Sequence, residues 1–281
     1  PYDVTNKISM NELFERWIEN HSKKVTAQTV GSYRTTWNYC SKVHDLQVRE
    51  LKSSHIKMLI DEQEKRTVRT RIKNLFNLML TYALEYDLVD RNVAENISIE
   101  MPIIYKPHIA FTDEEMNILW ANSEITGMIL VQCYMGWRPQ ELCELKSENI
   151  RDGFITGGLK TKAGMNRTVP IHSRIQPIID KYLANGTEYL FTAIDSRNGK
   201  LSKYYYQRYA NEFNEIISNL GLNPEHKPHD PRKQFVTMCK KYGVDEYAIK
   251  RMTGHSIKDI TEIVYTERTQ EWYKEEIEKI K

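Results

Sequence analysis

No apolar run in the 281-residue chain approaches the roughly 18 consecutive residues that a membrane-spanning helix needs, and no signal-peptide pattern opens it. A soluble, cytoplasmic protein is therefore expected, with no membrane partner. Charge of one sign is also lacking: 40 basic against 38 acidic residues leave a net charge of +2, so composition alone does not announce nucleic acid. Cysteine is scarce. Cys40, Cys133, Cys143 and Cys239 share no metal-ligand or CxxC spacing, which argues against a zinc site and predicts reduced, buried thiols. There is no Walker-type glycine loop, no internal repeat and no low-complexity tract. The chain opens on Pro1 rather than Met, so a natural N-terminal segment is expected to precede it.

What is present is overwhelmingly helical in pattern. Ser9 and Glu12 form a capping box ahead of Leu13, Phe14, Trp17 and Ile18. A second helix is expected over 26–43, with Val30, Tyr33, Trp37 and Cys40 on its apolar face and Thr29, Ser32 and Thr36 on the other. A third fits 53–64. A fourth, over 66–86, carries Val68, Ile72, Leu75, Phe76, Met79 and Ala83 at helical spacing. Arg66, Arg69 and Lys73 make a basic stripe on it, within a stretch (Lys65, Arg66, Arg69, Arg71, Lys73) that holds no acid. Pro102 and Pro107 break SIEMPIIYKPHIAF, residues 98–111, into an extended linker. The domain boundary is placed near 105, giving a helical domain 1–105 and a second domain 106–281.

The second domain reopens with a Thr112/Glu115 capping box, runs helical to Met135 and breaks at Gly136. Residues 149–171 are expected to be its only sheet, turning at Asp152-Gly153 and again at Lys162-Ala163-Gly164. Helices follow over 175–184, 201–219, 231–242, 245–253, 257–266 and 269–280. The fold class is thus mainly α with a small three-stranded antiparallel sheet.

Two arginines occupy helix starts. In GWRPQEL, Arg138 precedes a helix-opening Pro139, with Glu141 in the first turn. In HDPRKQF, Asp230 suits an N-cap, Pro231 the first position and Arg232 the next. Unpaired N–H groups and the helix dipole favour an anion at both places, and two converging guanidinium groups would clamp one phosphate. The hairpin adds Lys162, with Lys160 competing for any role. Further on, His255 stands in a helix break after Gly254, and Tyr265 follows ten residues later.

Taken in order, GWRPQEL, TKAGMNRTVPI, HDPRKQF and GHSIKDITEIVYT resemble the motifs of the tyrosine recombinases, the phage-integrase family, with integrases of conjugative transposons nearest in look. The resemblance spans about 136–266, and 8–97 looks like that family's core-binding domain. Lys162, eight residues before Pro170, has the spacing of the family's hairpin lysine and is preferred to Lys160. Two departures stand out: Gln234 where a small hydroxyl residue is frequent, and Thr253 where leucine is usual. Relatives of this kind usually carry an arm-binding domain ahead of the first helix, which fits the Pro1 start.

The resemblance implies a two-domain clamp on duplex DNA that cleaves and rejoins strands through a 3′-phosphotyrosine, for integration and excision of a mobile element. Tyr265 would be the nucleophile, His229 the proton acceptor and Lys162 the donor to the 5′-oxygen. Arg138, Arg232 and His255 would stabilise the phosphorus-centred charge. Glu141 would buttress an arginine, and Asp230 would start the helix of Arg232. No DxD or DxE pair stands beside these motifs, so neither metal nor nucleotide cofactor is expected. Thr29, Ser32, Thr36, Arg66, Arg69, Lys73 and Lys160 are candidate DNA contacts. Trp272, Tyr273, Ile277 and Ile280, expected to be exposed on the last helix, are candidate contacts to a neighbouring protomer. The implied partners are attachment or transposon-end DNA, further copies of the chain (dimer to tetramer in a synaptic complex passing through a Holliday junction), and accessory excision or DNA-bending proteins. Nucleoid association in a bacterial cytoplasm follows from that substrate. Two rivals remain at this point. A type IB topoisomerase-like enzyme would relax any supercoiled plasmid as a monomer, and a non-catalytic accessory protein would leave no covalent adduct.

Overall fold

The computed structural model describes residues 8–100, 102, 107–159, 164–195, 198–257 and 268–281. The chain divides into two compact units, Pro1–Tyr105 and Lys106–Lys281. Among the described residues no helix is long and apolar enough to cross a membrane, and the four cysteines are free and buried.

The N-terminal unit is helical: α1 Met10–Ser22, α2 Ala27–Asn38, α3 Ser53–Asp61 and α4 Arg66–Glu85. The Ser9/Glu12 box is formed, Ser9 N–H donating to Glu12 Oε2 at 2.7 Å and Glu12 N–H to Ser9 Oγ at 3.2 Å. The core is the expected apolar set, with Phe14 stacked on Trp37 at 4.8 Å and Ile72, Leu75, Phe76 and Met79 of α4 fully buried. The second helix is shorter than 26–43, stopping at Asn38 before a separate 3-10 turn over Ser41–Val43. Thr36 lies one turn after Ser32 on the same face of α2 but is not exposed as Ser32 is. It is 4% exposed, and its hydroxyl donates to Ser32 O, because the apolar face of α2 is wide enough to take in the position beside Trp37.

In the C-terminal unit, α5 Asp113–Ala121 and α6 Ser123–Met135 lead into α7 Pro139–Cys143. Every residue of α6 from Thr126 to Met135 is buried, so this helix is apolar all round and forms the centre of the unit. Strands β1 Ile150–Arg151, β2 Phe154–Gly157 and β3 Arg167–Pro170 form the antiparallel sheet in the order β1-β2-β3, with Phe154 opposite Pro170 and Gly157 opposite Arg167. Asp152 and Gly153 both have positive φ, the hairpin geometry that their sequence suggested. After α8 Gln176–Leu183 comes a second sheet that the sequence reading lacked, β4 Thr192–Ile194 paired with β5 Leu201–Lys203. Three-residue strands with exposed Ile194 and Leu201 carry no period-two pattern to read. The helix expected from 201 therefore starts at Tyr206, as α9 Tyr206–Asn219. α10 Asp230–Lys241 packs on α6, followed by α11 Glu246–Thr253 and α12 Gln270–Ile277. The helix expected over 257–266 falls almost wholly outside the described residues.

α12 is not the exposed element expected. Ile277 and Ile280 are 0% and 2% exposed within the core of their own unit, and Trp272 and Tyr273 pack partly against it. His172 Nε2 lies 2.9 Å from Ile280 O, and Glu276 accepts from Asp245 N–H at 2.7 Å, so polar contacts seat the helix as well.

Candidate functional site

Gly136 ends α6 with φ +67°, and a Cβ there would lie 2.4 Å from the Phe235 ring. Only glycine takes this turn without strain. It delivers Trp137 inward and Arg138 to the N-cap of α7. Glu141 organises the two arginines nearest that turn. Its Oε1 accepts from Arg138 Nη1 at 2.8 Å, and its Oε2 from Arg138 N–H at 3.0 Å and Arg167 Nη2 at 2.7 Å. Burial pushes the Glu141 carboxyl up, but the Arg167 hydrogen bond and the charges of Arg167 and Arg138 outweigh it, and its pKa falls to about 2. Arg138 thus enters the site already oriented.

Arg167 was not singled out from the sequence. It opens β3, stacks over the Trp137 ring at 4.2 Å, and donates to Met252 O at 2.8 Å and Gly164 O at 3.0 Å. It ties hairpin, α7 and α11 together. The eye goes to the lysines of TKAGMNRTVPI, and the signal that would have found Arg167 is its place on a buried-facing strand position.

Gln132, also missed, is a buried staple inside an otherwise apolar helix. Its Nε2 donates to Trp137 O at 3.0 Å and Pro228 O at 3.1 Å, the residues just before Arg138 and His229, while its Oε1 accepts from Tyr209 Oη at 2.6 Å. One amide therefore holds both motif-bearing segments at a common distance.

Arg232 lies in the first turn of α10 and is 8% exposed. Its Nη1 donates to Gly136 O at 2.7 Å and its Nη2 to Thr253 O at 2.6 Å and His255 Nε2 at 3.1 Å. Among the described residues no carboxylate pairs with it. Burial first, then the charges of Arg138 and Arg167, pull its pKa to about 9. A guanidinium held dry beside two others is electrostatically unfinished, and an anion completes it. His255 accepts from a group that can only donate, so its own transferable hydrogen sits on Nδ1 in this geometry. Its pKa is lowered by burial and by Arg232. Gly254 brings His255 there: φ is +66°, and a Cβ would lie 2.8 Å from Gly164 Cα.

His229 stands just ahead of α10, half-buried, its pKa lowered by burial, then by His108, Arg232 and Arg138. Asp230 does not cap this helix. It is the first helical residue, and its carboxylate instead takes His108 Nδ1 at 2.7 Å and Lys227 N–H at 2.9 Å. The structure thus brings Arg138, Glu141, Arg232 and His255 together, with His229 beside them. Lys160, Lys162 and Tyr265 lie outside the described residues.

In the N-terminal unit the basic stripe is partly consumed. Arg69 donates to Gln63 O at 2.6 Å and Asp61 O at 3.0 Å, and Arg66 to Ile99 O at 3.3 Å. Ser32, Tyr33, Thr36, Arg71, Asn74, Asn77 and Leu78 instead line a mixed polar and apolar groove of about 350 Å³ between α2 and α4. Arg71 and Asn74 are its exposed basic and amide groups.

A model of the phage integrase family matches residues 111–271. The tyrosine recombinase XerA of Thermococcus kodakarensis is 32% identical over 166 residues, 55% of this chain and 54% of that protein. XerD of Chlamydia trachomatis is 28% identical over 188 residues, 59% and 60% of the two. The chain thus spans little more than half the length of these relatives. Among solved structures, the Tn1549 transposon integrase in complex with circular intermediate DNA superposes with a TM-score of 0.75 at 16% identity, over 96% of this chain and 99% of that one. A lambda integrase tetramer bound to a Holliday junction gives 0.76 at 13%, over 92% and 81%. At such identities these two likenesses concern the fold: mainly helical, with small antiparallel sheets.

Proposed function

The chain belongs to the phage integrase family, and from that premise we propose that it is a site-specific DNA recombinase, an integrase of a mobile element that breaks and rejoins strands through a 3′-phosphotyrosine. The observation that carries the reading is the buried Arg232 guanidinium, without a carboxylate partner among the described residues, beside an Arg138 pre-set by Glu141. A scissile phosphate is an anion of the size and geometry that two such forks bind. In a site held rigid by Gln132 and Glu141, their charge is in place before it develops on phosphorus.

In this scheme Tyr265 Oη attacks phosphorus, the 5′-oxygen leaves, and the phosphodiester energy is kept in the phosphotyrosine. A phenol near pKa 10 needs a base, and His229, whose pKa is lowered, is neutral and able to take the proton and return it on religation. Lys162 protonates the leaving oxygen, and His255 donates to a nonbridging oxygen, through Nδ1 or after turning away from Arg232. Arg167 positions Glu141 and the hairpin. The N-terminal unit serves as a core-binding domain, with Lys73, Arg71, Ser32 and Thr29 toward phosphates.

Assembly of dimers and tetramers on paired sites, aided by accessory DNA-bending proteins, belongs to the same reading. It is supported by the likeness in fold to the lambda integrase tetramer. A second copy reaches Ile277 and Ile280 only if α12 leaves its seat. The substrate is met in the bacterial cytoplasm, at the nucleoid.

The test uses nicked suicide duplexes carrying DNA that flanks the chain's own gene. A covalent adduct that survives a denaturing gel and vanishes in Tyr265→Phe is expected. No adduct, or an equal one in the variant, overturns the mechanism.

A further inference from the structure

Behind His229 runs a chain of side chains to which the proposed strand-cleavage scheme gives no role. Asp230, 1% exposed, places Oδ1 2.7 Å from His108 Nδ1, and Oδ2 2.9 Å from Lys227 N and 3.3 Å from His226 Nδ1. His226 is itself buried, stacked on Phe111 at 4.0 Å, with Nε2 3.2 Å from both oxygens of Glu115. This anchoring leaves Asp230 no freedom to swing. The far end is different. His108 lies in the segment entering α5 with half its side chain in solvent, and its ring centroid is 5.4 Å from that of His229, tilted by 36°. A buried carboxylate, fixed on one side, thus holds an exposed imidazole on the other, directly beside the ring proposed to move the proton.

We propose that His108 is a positioning residue for His229: seated on Asp230, it sets a proton-carrying ring against His229 and favours the neutral, proton-accepting form of that ring. The proposal rests on the reading of His229 as the proton acceptor. Like charges on two imidazoles at this distance oppose one another. Among the described residues the charges acting on His229 are those of His108, Arg232 and Arg138, which disfavour its cation, and Asp230, which favours it. Two of these four are bound to each other. Asp230 pulls His229 toward its cation, and His108 opposes that pull, alongside burial and the two arginines, while using the same carboxylate as its seat.

His108→Gln tests this, because a glutamine amide can still donate to Asp230 while carrying no titratable charge. In the full chain, histidine-labelled and with the His229 resonance assigned by loss in His229→Gln, the His229 titration midpoint is expected to rise by up to about half a unit in His108→Gln. The acidic limb of the single-turnover cleavage profile is expected to move up with it, while the rate on the alkaline plateau and the melting temperature stay near wild type. An unchanged His229 midpoint overturns the proposal, as does a rate loss that is the same at every pH. A raised midpoint with an unmoved acidic limb also overturns it, since the charge coupling then does not reach catalysis. If His229→Gln cleaves normally, the assignment of His229 as proton acceptor fails instead, and the spectroscopic midpoint still decides whether His108 and His229 are coupled.

Discussion

Arg69 and Arg232 are both largely withdrawn from solvent, yet they are finished differently. In the N-terminal unit Arg69 has Gln63 O and Asp61 O as acceptors and the Asp61 carboxylate 3.6 Å away. In the C-terminal unit Arg232 has two carbonyl oxygens and a histidine nitrogen, and the charges of two further arginines press on it. The first is a structural tie whose charge is locally answered. In the proposed scheme the second is answered only when the scissile phosphate arrives. Burial of a cation is therefore not by itself the sign on which the proposed function rests; burial without a directly paired carboxylate among the described residues is.

Four substitutions bear on that contrast. Arg232→Gln is expected to lower single-turnover cleavage by roughly 10²–10³-fold, the scale for removing one preorganised donor to a developing anion, with the melting temperature within a few degrees of wild type. A large melting loss with cleavage retained would make Arg232 another structural tie. Glu141→Gln should cost stability on the order of 2–3 kcal/mol at neutral pH, after allowance for solvent screening, because the carboxylate binding both Arg138 and Arg167 is removed. The sign follows from its depressed pKa of about 2 against the ordinary 4.5. The stabilisation is complete above about pH 4.5 and disappears as pH falls toward 2, so the gap between variant and wild type in urea titrations should narrow over that window.

Arg69→Ala is expected to lose about 1–2 kcal/mol of stability, for two hydrogen bonds from a charged group, while DNA affinity measured by fluorescence anisotropy stays unchanged. Lys73→Ala should do the reverse, with stability intact and the slope of log affinity on log salt smaller by about one. Equal losses of affinity in these last two variants would return Arg69 to the DNA surface.

The local features of the sequence carried through to the structure wherever the signal itself was local. Ser9/Glu12 and Thr112/Glu115 form capping boxes because each needs only three residues of spacing. Pro139 and Pro231 sit in first turns, as their fixed φ and missing N–H require. Readings that needed a partner distant in sequence fared worse. Asp230 looks like an N-cap in HDPRKQF, yet His108, 122 positions away, takes its carboxylate. Ile277 and Ile280 were expected to be exposed, because a short helix with mixed faces does not say which face finds a core.

The order of Arg138, Lys162, His229, Arg232, His255 and Tyr265 was legible from the chain through its family resemblance, and Arg138, Arg232 and His255 also stand at helix starts or a helix break. Tertiary structure decided the electrostatics. It placed Gln132 to clamp Trp137 and Pro228, put Glu141 between Arg138 and Arg167, and left Arg232 buried with no ion-paired carboxylate among the described residues. Charge in a low-dielectric site depends on distances between groups far apart in sequence. No periodicity or spacing encodes those distances, which is why the motifs could be read along the chain while Arg167, Gln132 and the protonation states could not.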